Sequence, residues 1–476
     1  MSRSTAVNSI ISALGTASAA GRAAYCYLLR QHLPKIRGSI RIDGLQDRVE
    51  VIRDRWGVPH VYARSQKDMF FAQGYVHAQD RLWQMELNRR IATGTLSEAL
   101  GAATLEVDRF MRIVGFRRAA EEEAALLETE ERDILEAYCQ GINAFLKDNR
   151  HWLPLELILL RFSPRPWSVI DCLAWTKLMS WGISVNWDAE LVRLHFTEAL
   201  GEEVPTSLDP GYSDDQPVIV RHEKDHGLNT RDEITETPGL PGFSGGSNSW
   251  AVDGDKTVSG SPLLANDPHL IPQIPSPWYE IHLCAGDIDV IGASIPGMPG
   301  VIIGHNRNIA WGITAAMVDV QDLYQEDIHP SEPDRYRHDG RWLEVRAHSE
   351  VIRVKGWTEP WVEHVKVTHH GPIITPILRN ESRTFALKST ILEPQHLYKG
   401  GLLLLRASNW DEFRTALRHR TSPSLNFTYS DTSGNIGYQL AGSAPIRGRG
   451  NGQRPSPGWD PTYDWQGYIP FQDLPH

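Results

Sequence analysis

A short segment near the middle of the chain has the residue types of a nucleophile placed in a tight turn. Gly245 and Gly246 allow backbone conformations that other residues avoid, and Ser247 follows them directly. The next residues, Asn248 to Val252, have the composition of a strand. The segment differs from the G-x-S-x-G turn of α/β-hydrolases, because Ser249 stands where that motif has its last glycine.

A serine hydroxyl needs a base before it attacks a carbonyl, and an amino-terminal serine carries one in its own α-amine. The reference pKa of that amine is about 7.7 to 8.0, so part of it is neutral near pH 7. A cut between Gly246 and Ser247, by an N-to-O acyl shift and hydrolysis, would free the amine, and no histidine–carboxylate pair would then be needed. A Gly-Gly-Ser-Asn string is also a common turn, so both interpretations stand at this point.

Ser247 lies at a boundary between two kinds of sequence. Residues 66–200 have the periodicity of helices with one buried face. The clearest stretches are Asp68–Arg90, Glu121–Leu146 and Cys172–Leu200. Before them, Val49–Ala63 alternates like strands on either side of a Gly-Val-Pro turn. Residues 202–246 carry clustered charges followed by prolines and glycines, which predicts a connector.

From Ser247 onward, pairs of short strands separated by polar turns predict a series of β-hairpins. The pairs are Ser249–Val252 with Pro262–Ala265, Trp278–Cys284 with Ile288–Ala293, and Val301–Gly304 with Ile309–Thr314. We therefore predict a mainly helical part at residues 40–201 and a β-rich part at 247–476. Residues 1–39 form a separate segment, a weak signal or anchor, whose Ala-rich stretch is interrupted by Arg22.

The composition excludes several classes of function. The net charge of -11 argues against a nucleic-acid partner, which needs a basic face. No run of 18 or more apolar residues is present, so no ordinary transmembrane helix is predicted. The four cysteines are far apart and have no C-x-x-C spacing, so they do not predict a zinc site, and they neither require nor exclude a disulfide. They are Cys26, Cys139, Cys172 and Cys284.

Six motifs in a fixed order make the chain, from about residue 40 to its end, resemble the penicillin acylase family of N-terminal-nucleophile hydrolases. The motifs are Arg53–Val61, His77–Met85, Gly246–Trp250, Asn266–His269, Gly304–Thr314 and Leu425–Tyr438. The turn at His269 is similar to that of the cephalosporin and acyl-homoserine-lactone acylase branch. The resemblance implies the α+β class, as a four-layer αββα sandwich with a mainly helical N-terminal chain and a β-rich C-terminal chain. It also implies self-cleavage between Gly246 and Ser247, removal of residues 202–246 as a spacer, and a periplasmic or extracellular location, although no convincing signal peptide precedes it.

The resemblance implies a role for each residue of the site. Ser247 is the nucleophile and, through its amine, its own base. His269 hydrogen-bonds the serine and its amine and orients them. The backbone N–H of Ala315 and the side-chain amide of Asn426 stabilise the oxyanion, and Arg447 supports that asparagine. The alternatives are a plain turn histidine at 269 and a surface arginine at 447.

One structural calcium site is also implied. Asp319 and Asp322, with a carbonyl at Gln321 between them, offer the oxygen ligands that a hard cation prefers. Glu190, from the helical part, is the matching third carboxylate, so the ion would hold the two cleaved chains together as a heterodimer. The alternative is a solvated acidic turn.

Three further histidines, His364, His369 and His370, precede a Gly-Pro turn. They lack the H-E-x-x-H spacing of a zinc protease. The penicillin acylase family has a similar Thr-His-Gly-Pro turn, so these residues are expected to be structural and not to bind a metal.

The acyl pocket implied by the alignment with the family is almost entirely apolar. Its predicted lining residues are Pro268, Leu270, Ile302, Ile303, Ile313 and Met317. An apolar pocket favours a hydrophobic acyl group, as in a penicillin-type or N-acyl-homoserine-lactone-type amide. Relatives that accept glutaryl groups place an arginine where this chain has Ile303, so dicarboxylic acyl groups are expected to be disfavoured.

The chain ends at His476, earlier than the resemblance leads us to expect. Two explanations stay open, a shortened gene product and one half of a split pair. A catalytically silent fragment, or a subunit that needs a missing C-terminal partner, is therefore kept as the alternative to a self-processing acylase. A conventional serine hydrolase comes third, because no acid–histidine pair is spaced for it in the sequence.

Overall fold

The computed structural model describes residues 33, 35–150, 153–201, 246–270 and 272–476. The expected spacer at 202–246 lies outside these residues except for Gly246, and so does most of the expected segment 1–39. The helices are α1 (Gln66–Thr93), α2 (Ser97–Leu100), α3 (Leu105–Val114), α4 (Phe116–Leu126), α5 (Thr129–Asp148), α6 (Leu155–Leu160), α7 (Val169–Gly182), α8 (Trp187–Leu200), α9 (Leu397–Arg406) and α10 (Trp410–Leu417). The strands are β1 (Glu50–Arg53), β2 (Pro59–Tyr62), β3 (Ser247–Val252), β4 (Leu263–Pro268), β5 (Tyr279–Ala285), β6 (Ile288–Ser294), β7 (Ile303–His305), β8 (Ile309–Ala315), β9 (Gln321–Glu326), β10 (Arg335–His338), β11 (Arg341–Glu344), β12 (Arg346–Ile352), β13 (Trp361–Val367), β14 (Thr384–Ser389), β15 (Leu425–Asp431), β16 (Ile436–Ala441), β17 (Pro445–Arg447), β18 (Ser456–Pro457) and β19 (Trp465–Tyr468).

Local signals set the helix ends. The N-cap Ser65 of α1 accepts a hydrogen bond from the Asp68 backbone N–H, and Gly94 ends the helix in the left-handed conformation. The predicted single helix over 121–146 is divided, because Glu128 and Glu131 form a capping box that starts α5 after α4 has ended. The predicted helix over 172–200 is likewise divided into α7 and α8.

The main sheet has eight strands in the order β1-β2-β5-β6-β7-β8-β15-β16, and the three predicted hairpins are confirmed. Alternation along the central strands separates its two faces. Trp311, Phe427 and Tyr429 pack in a core with the helices. Gly312 and Thr428 face the opposite side, where the β3–β4 hairpin lies. The described residues thus form a helical layer, the eight-stranded sheet and the β3–β4 hairpin, called here the nucleophile hairpin after the role expected for Ser247, together with smaller sheets such as β14-β9-β18, β10-β11 and β12-β13.

Two helices lie inside the part that the sequence predicted only as β. Helices α9 and α10 contribute buried leucines to the core between the main sheet and α1. The backbone N–H of Lys399 donates to Glu131 Oε1 at 3.0 Å, which fixes the start of α9 against α5. Two consecutive glycines in α9 lower its helix propensity, so packing and not local sequence stabilises it.

A buried histidine joins the helical layer to the sheet. His77 on α1 lies 2.6 Å from the Tyr138 hydroxyl through Nδ1 and 3.0 Å from the Ser294 hydroxyl through Nε2. Burial, with a smaller contribution from Arg81, lowers the pKa of His77 to about 3. The His77 motif therefore supplies a neutral hydrogen-bonding residue to the interior. No helix among the described residues is long and apolar enough to span a membrane.

Candidate active site

The hairpin that carries Ser247 is held on the main sheet by side-chain hydrogen bonds. Ser247 is the first residue of β3 and pairs with Pro268 on β4. The Asn266 side chain bonds the main chain of Ile313 on β8, donating to its carbonyl and accepting from its N–H, both at 2.9 Å. The Ser249 hydroxyl bonds the Thr428 hydroxyl on β15. The motif at 266–269 thus docks the hairpin onto the sheet.

Gly312 permits this close approach. A Cβ atom at this position would come within 2.5 Å of Ser249 Oγ and 2.9 Å of Asn266 Cβ. A larger residue on β8 would therefore push the nucleophile hairpin away from the sheet. This explains the glycine of the Trp-Gly-Ile-Thr motif, for which the sequence alone suggested no role.

His269 contacts the junction between Gly246 and Ser247. Its backbone N–H donates to the Gly246 carbonyl at 3.0 Å, and its Nδ1 lies 3.8 Å from the place of a Cβ atom on Gly246. Its Nε2 lies 2.8 Å from Asp267 Oδ2 and 3.4 Å from Asn248 Nδ2. The predicted bond from the imidazole to the serine is replaced by the bond to Asp267. An acid–histidine pair therefore lies beside the Gly246 carbonyl, although no pair in the sequence is spaced for a conventional serine hydrolase.

Asn426 and Ala315 are neighbours, because β15 pairs with β8 so that Asn426 lies opposite Thr314. The Asn426 amide donates to the Thr314 hydroxyl at 3.0 Å and to the Ala315 carbonyl at 3.2 Å. Its Oδ1 accepts from the Tyr438 hydroxyl at 2.7 Å, which fixes the orientation of the amide. The structure therefore brings the two predicted oxyanion donors together, and Tyr438 is a supporting residue that the sequence analysis missed.

Ser247 and Ala315 line a mainly apolar cavity of about 310 Å³. Five of the six predicted lining residues border it, namely Pro268, Leu270, Ile302, Ile313 and Met317. Ile303 is not among the lining residues, because it follows Ile302 along the chain and adjacent side chains point to opposite sides. Met317 has a φ of 55°, an unusual conformation for a residue with a side chain. The helical layer closes the far end of the cavity.

Arg420 is the one charged residue among those that line the cavity. Its guanidinium lies 5.3 Å from the centre of the Phe427 ring. Burial lowers the pKa of Arg420 to about 10, so it stays a cation near neutral pH. The prediction that dicarboxylic acyl groups are disfavoured assumed that Ile303, where relatives have an arginine, lines the cavity. Ile303 does not line it and Arg420 does, so the prediction loses its support.

The predicted calcium ligands are buried together with Arg447. The Arg447 guanidinium lies 2.8 Å from Asp322 Oδ2 through Nε and 3.1 Å from Asp319 Oδ2 through Nη2. The prediction that Arg447 supports Asn426 is therefore corrected, since two carboxylates hold the guanidinium and Tyr438 bonds the asparagine. Arg447 is also not a surface residue.

The cluster places three carboxylates beside one guanidinium. Glu190 is fully buried, and burial, with repulsion from Asp322 and Asp319, raises its pKa well above the usual value. Burial and Asp322 raise the pKa of Asp319 to about 7. Burial alone would lower the pKa of Arg447, but the two aspartates raise it. Without a cation, two of the carboxylates thus favour their protonated forms, and a bound hard cation would favour the ionised forms.

Asn186, from the start of α8, completes this cluster. Its Nδ2 donates to Asp319 Oδ1 at 2.7 Å, and its backbone N–H donates to the side-chain oxygen of Gln321 at 3.1 Å. Its own Oδ1 is buried without a hydrogen-bond partner. An unpartnered buried amide oxygen beside three carboxylates is the donor set of a calcium site, so these residues fit the expected ion.

Comparison with known proteins identifies relatives of this chain. The family model described as Penicillin amidase matches residues 48–476. An acyl-homoserine lactone acylase, QuiP, of Pseudomonas aeruginosa is 34% identical over 92% of this chain and 54% of its own length. The Penicillin acylase 2 proenzyme of Pseudomonas sp. is 33% identical over 94% of this chain and 59% of its own.

Penicillin G acylase of Escherichia coli is 28% identical over 90% of this chain and 57% of its own length. A solved structure of the thermostable penicillin G acylase of Alcaligenes faecalis aligns with a TM-score of 0.43 at 28% identity, over 48% of this chain and 41% of that one. This chain spans somewhat more than half the length of the curated relatives it matches. The family match covers the helical part, the Ser247 hairpin and the acidic cluster alike, and the chain belongs to the penicillin amidase family.

Proposed function

We propose that this chain carries the nucleophile of a self-processing amidohydrolase that cleaves the amide bond of an N-acyl compound. One observation carries the proposal. The carbonyl of Gly246, which belongs to the bond expected to break, accepts a hydrogen bond from the His269 backbone N–H, while the adjacent Ser247 lines an apolar cavity. A hydroxyl, a polarised carbonyl and an acyl-binding cavity thus occur at one junction.

Processing would begin with attack of Ser247 Oγ on the carbonyl carbon of Gly246. Before the cut the serine nitrogen is an amide and cannot act as a base, so another group must take the hydroxyl proton. The imidazole of His269, held by Asp267, is the basic group beside the junction. The proton then moves to the leaving nitrogen as the C–N bond breaks, and water hydrolyses the resulting ester, leaving a carboxylate on Gly246 and a free amine on Ser247.

Turnover would use the freed α-amine. The amine takes the Ser247 proton as the hydroxyl attacks the substrate amide carbonyl, and the oxyanion is stabilised by the Ala315 N–H and Asn426 Nδ2. The proton passes to the departing amine of the substrate, which leaves an acyl ester on Ser247. Water, deprotonated by the same α-amine, then hydrolyses this ester and regenerates the hydroxyl.

Two substrate classes fit the cavity. Its apolar walls favour a hydrophobic acyl chain, in agreement with the names of relatives that act on acyl-homoserine lactones and penicillins. The guanidinium of Arg420 favours an acyl group that ends in a carboxylate, because a buried cation gains most from an opposite charge. The apolar class is our first choice, since a single charged side chain lines the cavity.

Calcium would be held by Glu190, Asp319 and Asp322, with oxygen atoms of Gln321 or Asn186 as further ligands. Its role is structural, because Glu190 belongs to the helical part and the aspartates belong to the β-rich part. When bound, the ion supplies charge balance across the junction of the two chains. A relative named a proenzyme supports processing into such chains.

The second candidate is a chain that does not process itself, or a subunit that needs a partner. It stays open because the His269 imidazole bonds Asp267, and the Asn426 amide already donates to Thr314 and Ala315. Intact mass and N-terminal sequencing of the purified chain decide between the two. Processing gives a fragment that begins at Ser247, whereas the second candidate stays at 53.6 kDa.

Ser247→Ala tests the nucleophile. It should abolish cleavage and lower turnover by a factor on the order of 10⁶, as for the loss of a nucleophile elsewhere. Ser259→Ala, in the exposed turn of the same hairpin, is the matched control and should process normally. A cut at position 247 in the alanine variant would disprove the mechanism.

His269→Ala separates the two stages. It should slow processing more than turnover, because the imidazole acts only before the α-amine is free. The measurement compares the rate of fragment release with kcat on material allowed to mature fully. An equal loss in both rates would assign His269 to the mature site instead.

A further inference from the structure

Three histidines and an aspartate from separate segments meet in the β-rich part, away from the residues assigned above. His338 ends β10, His369 and His370 lie in the turn after β13, and Asp464 precedes β19. One ligand atom from each lies within 4.8 Å of all the others. The sequence analysis expected these histidines to be structural, and it did not connect them with His338 or Asp464.

The same nitrogen of each ring points to the aspartate. Nε2 of His370 lies 3.0 Å from Asp464 Oδ1. Nε2 of His338 lies 3.4 Å from Oδ2 of the same carboxylate, and Nε2 of His369 lies 4.0 Å from it. Bonds of about 2.0–2.1 Å around a tetrahedral ion place ligand atoms about 3.3 Å apart. The three separations from Asp464, 3.0 to 4.0 Å, lie on both sides of that spacing, and all four ligand atoms lie within 4.8 Å of one another.

The other nitrogen of each ring is held by a second group. Nδ1 of His338 lies 3.0 Å from the Gly458 carbonyl, and Nδ1 of His369 lies 3.1 Å from the Tyr336 hydroxyl. Nδ1 of His370 lies 2.9 Å from Glu326 Oε1. A carbonyl or carboxylate on the far nitrogen, as at His338 and His370, is the usual arrangement of a metal-ligating histidine, because it favours the tautomer in which Nε2 can bind the ion.

We propose that His338, His369, His370 and Asp464 form a structural zinc site, distinct from the acidic cluster expected to hold calcium. Three imidazoles and one carboxylate suit a borderline ion such as Zn²⁺ and do not suit Ca²⁺, which prefers oxygen ligands. Four protein ligands leave no open position, so the role is to hold the fold together and not to activate water.

An ion can reach the cluster from solvent, because His369 keeps a third of its side chain exposed.

The ion would fasten the last described segment to the body of the fold. Asp464 lies beside Trp465, whose Nε1 donates to Asp322 Oδ2 at 2.5 Å, and Tyr324 on β9 stacks on His370 with ring centres 3.7 Å apart. Zinc would thus stabilise β9, which carries Asp322 of the acidic cluster near its start and Glu326, the partner of His370, at its end.

The full-length chain, stripped of metal with a strong chelator and then dialysed, is titrated with Zn²⁺ in competition with a chromophoric chelator. Wild type should bind one equivalent, and Co²⁺ should give the intense visible absorption of tetrahedral coordination. His369→Ala should lose at least 100-fold in zinc affinity. His364→Ala, an exposed histidine on the adjacent β13, is the matched control and should bind as wild type.

Glu326→Gln tests the orientation of His370. It keeps a hydrogen-bonding oxygen but loses the charge, and it should weaken zinc binding by about 10- to 100-fold. Glu190→Gln, in the acidic cluster, should retain full zinc affinity. If His369→Ala does not fold, His338→Gln decides by the same titration. Zinc binding weaker than micromolar in wild type, or equal affinity in the ligand variants, would overturn the proposal.

Discussion

The nucleophile hairpin and the acidic cluster are built in opposite ways. His269 and Asp267 are about half and two-thirds exposed, and the hairpin is attached to the sheet through a few polar contacts. Glu190, Asp319 and Asp322 are each at most 5% exposed. Hydrogen bonds join the two halves of the chain here, from Asn186 to Asp319 and from the Leu323 N–H to Glu190. The candidate active site thus lies where few contacts resist movement, whereas the contact between the two halves lies where an unbalanced charge is most costly.

This contrast has a testable consequence. Changes at the hairpin and its facing strands should alter rates and leave stability nearly intact, while changes at the cluster should do the reverse. The predictions for Asn426 and for calcium removal each test one side of that division, and the His77 prediction tests the interior that joins the two halves.

Asn426→Ala should give the largest effect on the reaction after the loss of Ser247 itself. Loss of one oxyanion donor lowers kcat by about 10²–10³, equivalent to about 3–4 kcal/mol of transition-state stabilisation. Tyr438→Phe, which removes only the 2.7 Å bond that orients the amide, should cost about 10-fold. Both are measured as kcat on matured protein, with thermal unfolding as the control. An unchanged kcat for Asn426→Ala would remove the residue from the site.

Arg420→Leu should change substrate preference. Hydrolysis of an adipoyl amide should fall by about 30- to 100-fold in kcat/KM, because its terminal carboxylate loses its partner in an apolar cavity. Hydrolysis of the hexanoyl amide, of equal chain length without the charge, should change little. The ratio of the two rates is the measurement. A loss equal for both amides would show that Arg420 maintains the shape of the cavity and does not select charge.

Calcium removal should act on the acidic cluster and lower the stability of the fold. An ion present at 100 times its dissociation constant stabilises the folded chain by about 2.7 kcal/mol. Chelation should therefore lower the melting temperature of wild type by about 3 °C. In Glu190→Gln the chelator should have little effect, since the variant lacks a ligand and one of three repelling carboxylates. Equal melting of wild type with and without chelator would contradict the assignment.

The smallest predicted effect is the contribution of His77 to the pH dependence of folding stability. Its pKa is about 3 in the folded chain against about 6.5 when unfolded, so the unfolded chain takes up the proton first. The free energy of unfolding is therefore highest above pH 6.5 and decreases as pH falls from 6.5 towards 3. The decrease caused by His77 is about 2 kcal/mol at pH 5. Tyr138, Ser294 and the Tyr279 ring face the imidazole, and Arg81 is the nearby charge.

The measurement is the free energy of unfolding in urea at pH 7.5 and pH 5.0, in the Ser247→Ala background so that a single uncut chain unfolds. His77→Gln should show a smaller difference between the two pH values than its parent. An identical pH dependence in both would show that other groups cause it.

Local patterns in the sequence were enough for the hairpins, for α1 and for the order of the motifs, because turn residues and periodicity act over a few residues. They failed where distant segments meet. The pair of Asp267 with His269 is local, but its place beside Gly246 depends on the β3–β4 register. Arg447 reaches the acidic cluster only through the folded β17. His338 and Asp464 are over a hundred residues apart, so no spacing rule joins them.

One feature of the cavity constrains any change of substrate preference. Phe70, Ile134, Leu402 and Leu405 border the space next to Ser247 and also belong to the interior that joins the main sheet to the helices. Trimming these side chains to admit a bulkier acyl group would leave an internal void and cost about 2–5 kcal/mol at each leucine or isoleucine. Leu270 and Met317 lie outside that shared interior, so they are the positions where selectivity can be redesigned with the least loss of thermal robustness.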